Sequence, residues 1–315
     1  MVLLERKKLV VIIGPTAVGK TKLSIDLAKR LNGEIISGDS MQIYKGMDIG
    51  TAKITKDEME DIPHHLIDIK EADEEYSVAE FQTTCRPLID KITSHHKMPL
   101  IVGGTGLYIQ SVIYDYQFTD TPSNPVIRNQ LERELEVDGE HYLHNKLKEV
   151  DPEAAINIHP NNSRRVIRAL EIYYTTNKTM SEYINNQEKT LLYDVVVIGL
   201  TMDREVLYER INYRVDVMIE QGLLLEAKKL YDSGLQNSQA AKAIGYKELF
   251  DYFAGKSSLE VAIEQLKQNS RRYAKRQLTW FRNKMEVNWY DMTPPLSYEE
   301  KVDEIFTYIA GKLKL

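Results

Sequence analysis

The stretch VVIIGPTAVGKTKLS, residues 10–24, restricts the possible folds more than any other part of the chain. An apolar run breaks into a loop framed by Gly14 and Gly19, then passes through Lys20 and Thr21 into Leu23, Leu27 and Leu31 at spacing four. Strand, glycine loop and helix in direct succession make a phosphate-binding unit. The loop residues are Gly14, Pro15, Thr16, Ala17, Val18, Gly19, Lys20 and Thr21. Their amides cradle phosphate oxygens, Lys20 adds a point charge, and the Thr21 hydroxyl suits a magnesium ion. Such a loop reads only phosphate geometry. What carries the phosphate must come from elsewhere in the sequence.

Four further apolar stretches read as strands: EIISGDS at 34–40, the start of PLIVGGTGLYIQS at 99–111, YDVVVIGL at 193–200 and EVNWYD at 286–291. Near-continuous apolar strands alternating with helical patterns indicate a parallel sheet covered on both faces. Between 116 and 190 the strand signals stop, and NPVIRNQLERELEV, GEHYLHNKLKEV and NNSRRVIRALEIYYTT read as amphipathic helices. The expected fold class is therefore α/β, a P-loop-type parallel sheet with helices on both faces plus an all-helical insertion. The core would comprise 1–115 and 191–315, with the insertion at 116–190. Residues 203–283 read as helical again, and the tail from about 295 as one closing helix.

Ligands of such sheets bind beyond the carboxyl ends of the strands, so the phosphate loop, Asp39 and Thr105 should share a crevice. Asp39 follows a strand and would by default be a turn residue or helix cap. Beside a phosphate loop it can instead act as a general base. Thr105 lies in a Gly-Gly-Thr-Gly turn that lets its hydroxyl and backbone approach a ligand, though a plain N-cap role is equally open. The paired histidines do not complete a zinc spacing; His64 and His65 read as supporting residues, His95 and His96 as surface. Cys85 is the only cysteine, which excludes an internal disulfide and fits a reducing compartment. The basic opening MVLLERKK precedes an apolar run too short for a signal-peptide core, and no stretch approaches a membrane span, so a cytoplasmic protein is expected.

The formal net charge of −6 argues against a nucleic-acid binder only as an average. EQLKQNSRRYAKRQLTWFRNK, 264–284, has no acidic residue after Glu264 and carries Lys267, Arg271, Arg272, Lys275, Arg276, Arg282 and Lys284. A solvated helix face usually mixes signs; a single-sign row suggests a phosphate track. The insertion adds Arg164, Arg165 and Arg168 at a helix start. An ATP-dependent small-molecule kinase would explain the loop but not these basic surfaces. A non-catalytic RNA binder would explain the surfaces but not an intact Lys20-Thr21 beside Asp39.

GPTAVGKT, SGDSMQIYKGMDIGTAK, HHLID, GGTGLY, HPNNSRRVIRALE, AIGYKE and RRYAKRQLTWFR succeed one another with the order and spacing of bacterial tRNA dimethylallyltransferases, which the chain resembles from about residue 8 to 291. The one departure at the loop is Val18, where the family often has Ser; it leaves Lys20 and Thr21 intact. The resemblance implies that the phosphates belong to dimethylallyl diphosphate. It implies transfer of the five-carbon group to the exocyclic N6 amine of the adenosine 3′ of the anticodon, in tRNAs reading codons that begin with U, with Mg2+ assisting. Arg214, by itself only a helical arginine, would then support the diphosphate with Lys20. Asp39 would accept the amine proton and Thr105 would orient it. Contacts to the anticodon stem-loop would come from Asp39, Ser40, Met41, Gln42, Thr105, Arg128, Arg164, Arg165, Arg168, Ala243, Ile244, Gly245, Tyr246, Lys247, Glu248, Ser270, Arg271, Arg272, Lys275, Arg276 and Gln277. The insertion would grip the anticodon loop, and the protein would act as a monomer.

Overall fold

The computed structural model describes residues 6–118, 124–185 and 190–315. The first strand, β1 (Lys8–Ile13), is wholly apolar after Lys8, and Leu9 to Ile13 are fully buried. It is followed by α1 (Lys20–Arg30), β2 (Gly33–Ser37), β3 (His64–His65), α2 (Val78–Ser94), β4 (Met98–Gly103) and α3 (Gly106–Ile113). After a helical segment the sheet resumes with β5 (Asp194–Thr201) and closes with β6 (Asn288–Asp291). All pairings are parallel, in the order β3-β2-β4-β1-β5-β6. The chain leaves β1 toward one edge and returns on its other side at β5, so the carboxyl ends of β1 and β4 flank a switch point where ligands bind.

The parallel sheet agrees with the sequence, and the structure adds one strand to it. His64–His65 pairs with Ile35 and Ile36 at the edge, a two-residue strand with no pattern of its own to betray it. The second strand also stops at Ser37, which leaves Gly38, Asp39 and Ser40 in a loop.

The chain divides into two compact units, Met1–Ile113 with Leu191–Leu315, and Tyr114–Thr190. The second contains α4 (Pro125–Asp138), α5 (Glu140–Val150), α6 (Pro152–Asn157), α7 (Ser163–Thr176) and α8 (Met180–Asn185). Its own core gathers Leu131, Leu143, Leu147, Val166 and Leu170. Asn124 caps α4 by accepting from Val126 and Ile127 amides, with Pro125 at the first helical position.

In the first unit, β5 leads into α9 (Arg204–Glu220), α10 (Leu223–Asp232), α11 (Tyr246–Phe253) and the long α12 (Leu259–Lys284). The chain ends in α13 (Tyr298–Leu313), which packs on α1 and β5. Helix α12 packs against α3, α9 and α11, and buries Leu266, Ala274, Gln277 and Phe281.

Candidate active site

The loop after β1 begins with Gly14 at φ 152°, where an added Cβ would lie 2.7 Å from the Leu200 carbonyl oxygen. Gly19 stands at φ 105° just before α1, in the left-handed region that favours glycine. The first turn of α1 has no side-chain cap and no acidic residue, so its amides and the positive end of the helix dipole remain open to an anion. Lys20 folds back onto the loop, its Nζ donating to the carbonyls of Gly14 at 3.0 Å and Pro15 at 2.7 Å. Burial and, next, repulsion from Arg214 push the Lys20 ammonium down to about 7, with Asp39 partly offsetting both. Burial also lowers the Arg214 guanidinium, opposed by attraction to Asp39 and Glu58. Lys20, Arg214 and Asp39 thus form one electrostatic cluster, drawn from residues far apart in sequence.

Asp39 turns its own loop, its Oδ1 accepting from the Met41 amide at 2.8 Å. Thr105 is a neighbour of that loop. Its Oγ1 accepts from the Ser40 amide at 3.1 Å, and its own amide donates to the Gly38 carbonyl at 3.3 Å. The hydroxyl therefore holds the Asp39 loop in place. The glycines of the Gly-Gly-Thr-Gly turn are explained by close approach: a Cβ on Gly103 would lie 2.4 Å from the Gly38 backbone, and one on Gly106 would lie 2.1 Å from the Trp280 ring.

Two cavities meet at this point. One, of about 720 Å³, is lined by Thr16, Ala17, Gly19, Lys20 and Thr21 of the phosphate loop, with Gln42, Arg210 and Tyr213, while Val18 is buried in the core. The other, of about 300 Å³, has an apolar wall of Ile211, Val215, Met218, Leu223 and Leu266. Thr16, Asp39, Thr51, Arg214 and Tyr273 line both. The apolar cavity also takes in Ser40, Met41, Ala243, Ile244, Gly245, Ser270 and Arg276 from the residues that the sequence suggests for tRNA.

Other residues of that set have side chains in the interior, engaged with the protein itself. Tyr246 and Glu248 are buried. The Tyr246 hydroxyl donates to Glu226 at 2.6 Å, and Glu248 accepts from the Gly245 amide and from Asn269. Gln277 is buried too, bridging Thr16 and Gly104. On α12 the basic row divides. Arg272, Lys275 and Arg276 are exposed, whereas Arg271 donates to Asn212 and Lys267 pairs with Asp216 at 2.7 Å, both on α9. Packing thus gives these two cations partners on another helix, which the sequence of the stretch does not show. Lys247 is exposed on α11.

In the helical unit, Arg164 and Arg165 are exposed. Arg128 and Arg168 both pair at 2.8 Å with the buried Glu171 carboxylate. Burial pushes the Glu171 carboxyl up, but hydrogen bonds from Arg168, Arg128 and the Asn124 amide outweigh it and hold the group below its usual range.

Sequence reasoning missed Glu226, and it did not single out Tyr273, which reaches both cavities. The Glu226 carboxylate accepts from the amides of Asp48, Ile49 and Gly50, each at 2.9 Å. It thereby anchors the loop that carries Gly50 and Thr51 into the apolar cavity. No local signal marks it, since the loop that it anchors lies more than a hundred residues earlier.

A family model described as IPP transferase matches residues 42–284. The chain belongs to the IPP transferase family. The tRNA dimethylallyltransferase of Bacillus subtilis is 62% identical over 310 residues, covering 98% of this chain and 99% of that one. Its counterpart in Geobacillus thermodenitrificans is 63% identical over 309 residues, covering 98% of each. Among solved structures, the full-length tRNA isopentenylpyrophosphate transferase of Bacillus halodurans aligns with a TM-score of 0.76 at 56% identity, over 98% of this chain and 97% of that one. A eukaryotic dimethylallyltransferase acting on tRNA aligns with a TM-score of 0.84 at 36% identity, over 98% of this chain and 79% of its own. The family's segment begins after the phosphate loop and Asp39, but these full-length relatives span both. Family membership sets aside the metabolite kinase and the non-catalytic RNA binder.

Proposed function

We propose that this IPP transferase family member moves the dimethylallyl group of dimethylallyl diphosphate onto the exocyclic N6 amine of the adenosine 3′ of the anticodon, in tRNAs reading codons that begin with U. The observation that carries this reading is the position of Asp39, on the wall common to a cavity lined by the glycine loop and one with an apolar wall. The diphosphate lies against Gly14–Thr21, with Lys20 and Arg214 stabilising its charge as it departs. The adenine is extruded from the loop at a cost of a few kcal/mol and enters the apolar cavity, where Ser40, Ala243–Gly245 and Arg276 surround it. The amine nitrogen attacks the methylene carbon of the isoprenoid, the carbon–oxygen bond breaks, diphosphate leaves with the electron pair, and Asp39 takes the amine proton. Thr105 keeps the Asp39 loop in register through Ser40.

The donor set suits magnesium. Among the described residues no three His, Cys, Asp or Glu side chains gather into a metal cage, while Thr21 offers a hydroxyl beside the phosphate cradle. Magnesium keeps several waters and accepts substrate phosphate oxygens, so Thr21 would hold it there. When bound, it neutralises charge on the leaving group.

The exposed Arg272, Lys275 and Arg276, with Lys247 and, in the helical unit, Arg164 and Arg165, supply phosphate contacts to the anticodon stem-loop. In our reading the helical unit grips the anticodon loop, and the enzyme works as a cytoplasmic monomer. Among the described residues no helix is long and apolar enough to cross a membrane. The test is incubation with radiolabelled dimethylallyl diphosphate and unmodified tRNA, with and without ATP. Label should enter tRNA equally in both; label absent from tRNA while ATP is consumed would overturn the proposal.

A further inference from the structure

Gln277 is a buried polar side chain that the chemistry above does not use. Its Oε1 accepts from the Thr16 amide at 3.0 Å, and its Nε2 donates to the Gly104 carbonyl at 3.1 Å. One amide group therefore ties the phosphate loop to the turn after β4. The same turn holds the Asp39 loop through Thr105 and Ser40. Tyr273, one helical turn earlier on α12, extends the brace through contacts with Thr105 and Gln277. A Cβ on Gly104 would lie 2.0 Å from Nε2, so the glycine is what allows the amide to close on its carbonyl.

The bond also has a direct effect on anion binding. With its amide committed to Gln277, Thr16 gives no N–H to a phosphate, and the cradle is left to the amides from Ala17 to Thr21. That choice sets how deep the anion lies, and hence the distance from the leaving group to Asp39.

We propose that Gln277 is a positioning residue for the diphosphate: it locks the phosphate loop to the Gly104 turn and so fixes the leaving group relative to Asp39. The assignment rests on the diphosphate reading of the loop. It differs from the RNA contact that the sequence suggests for this residue, because the side chain faces the interior.

The test uses the full-length enzyme with Gln277→Met, Gly104→Ala, Gln277→Ala and the double variant Gln277→Ala/Gly104→Ala. Inorganic diphosphate binding is measured by calorimetry, kcat and KM for dimethylallyl diphosphate at saturating tRNA, and tRNA binding by filter retention. Losing a buried two-ended brace should weaken diphosphate binding about tenfold in Gln277→Met, lower kcat, and leave tRNA affinity within about twofold. Gly104→Ala should reproduce that pattern by collision. In the Gln277→Ala background the same alanine should add little, because the atoms it strikes are gone. A general loss of stability would not produce that non-additivity. Diphosphate binding at the wild-type level in Gln277→Met or Gly104→Ala, strictly additive losses, or a loss confined to tRNA affinity would each overturn the assignment. Wild-type enzyme that binds no diphosphate would overturn the underlying reading and this assignment together.

Discussion

At the residue scale, Asp39 shares one electrostatic cluster with the cations Lys20 and Arg214. In the proposed reaction it is the group that receives the amine proton. Asp39→Ala should therefore slow turnover about 10²–10⁴-fold while tRNA affinity stays near wild type, as single-turnover and filter-binding assays would show. Lys20 makes a prediction about pH. Its ammonium is held down to about 7 by burial and by Arg214, and a bound diphosphate would raise it again. Binding then takes up a proton, so affinity is full below about pH 7 and falls as pH rises through that value, by up to about tenfold per unit. Titration of diphosphate by calorimetry across that range checks it, with Lys20→Arg as the variant whose charge does not titrate. A flat profile in the wild type would sink the coupling.

At the scale of elements, α12 does most of the organising. Its inner face places Leu266, Tyr273 and Gln277 along the two cavities, and Trp280 covers Gly106. Its outer face carries the exposed arginines and lysine. Each phosphate contact contributes about 0.7–0.9 to the slope of log affinity against log salt. The double change Arg272→Ala/Arg276→Ala should accordingly flatten that slope for tRNA by about one to two. Arg271→Ala should change it less, because that half-buried side chain is turned toward α9 by its hydrogen bond to Asn212 and reaches less far into solvent. An equal effect from Arg271 would restore the unbroken basic row that the sequence suggests.

At the scale of the whole molecule, the described residues gather a core in each of the two units. Leu170, fully buried among Leu131, Leu143 and Val166, belongs to the helical unit alone. Leu170→Ala should destabilise that unit by about 2–5 kcal/mol, through lost contacts and the cavity left behind. Calorimetric melting should show an early transition while diphosphate binding persists and tRNA binding weakens. Loss of both binding activities in one cooperative transition would show the cores to be coupled.

The local patterns were legible because they depend on neighbours in the chain. β1 is apolar after Lys8, Gly19 frees the start of α1, and Asn124-Pro125 begins α4, each for reasons contained in a few consecutive residues. The motifs from the phosphate loop to RRYAKRQLTWFR, read together, also pointed to the family. Position in space was another matter. That Gln277 is buried while its neighbour Arg276 is exposed, that Lys267 finds Asp216, and that Glu226 anchors Asp48–Gly50 depend on which helices pack together. His64–His65 becomes a strand only because Ile35 and Ile36 offer it an edge. Hydrogen bonds and ion pairs between distant segments leave no periodic trace in a sequence, so only the folded chain could assign them.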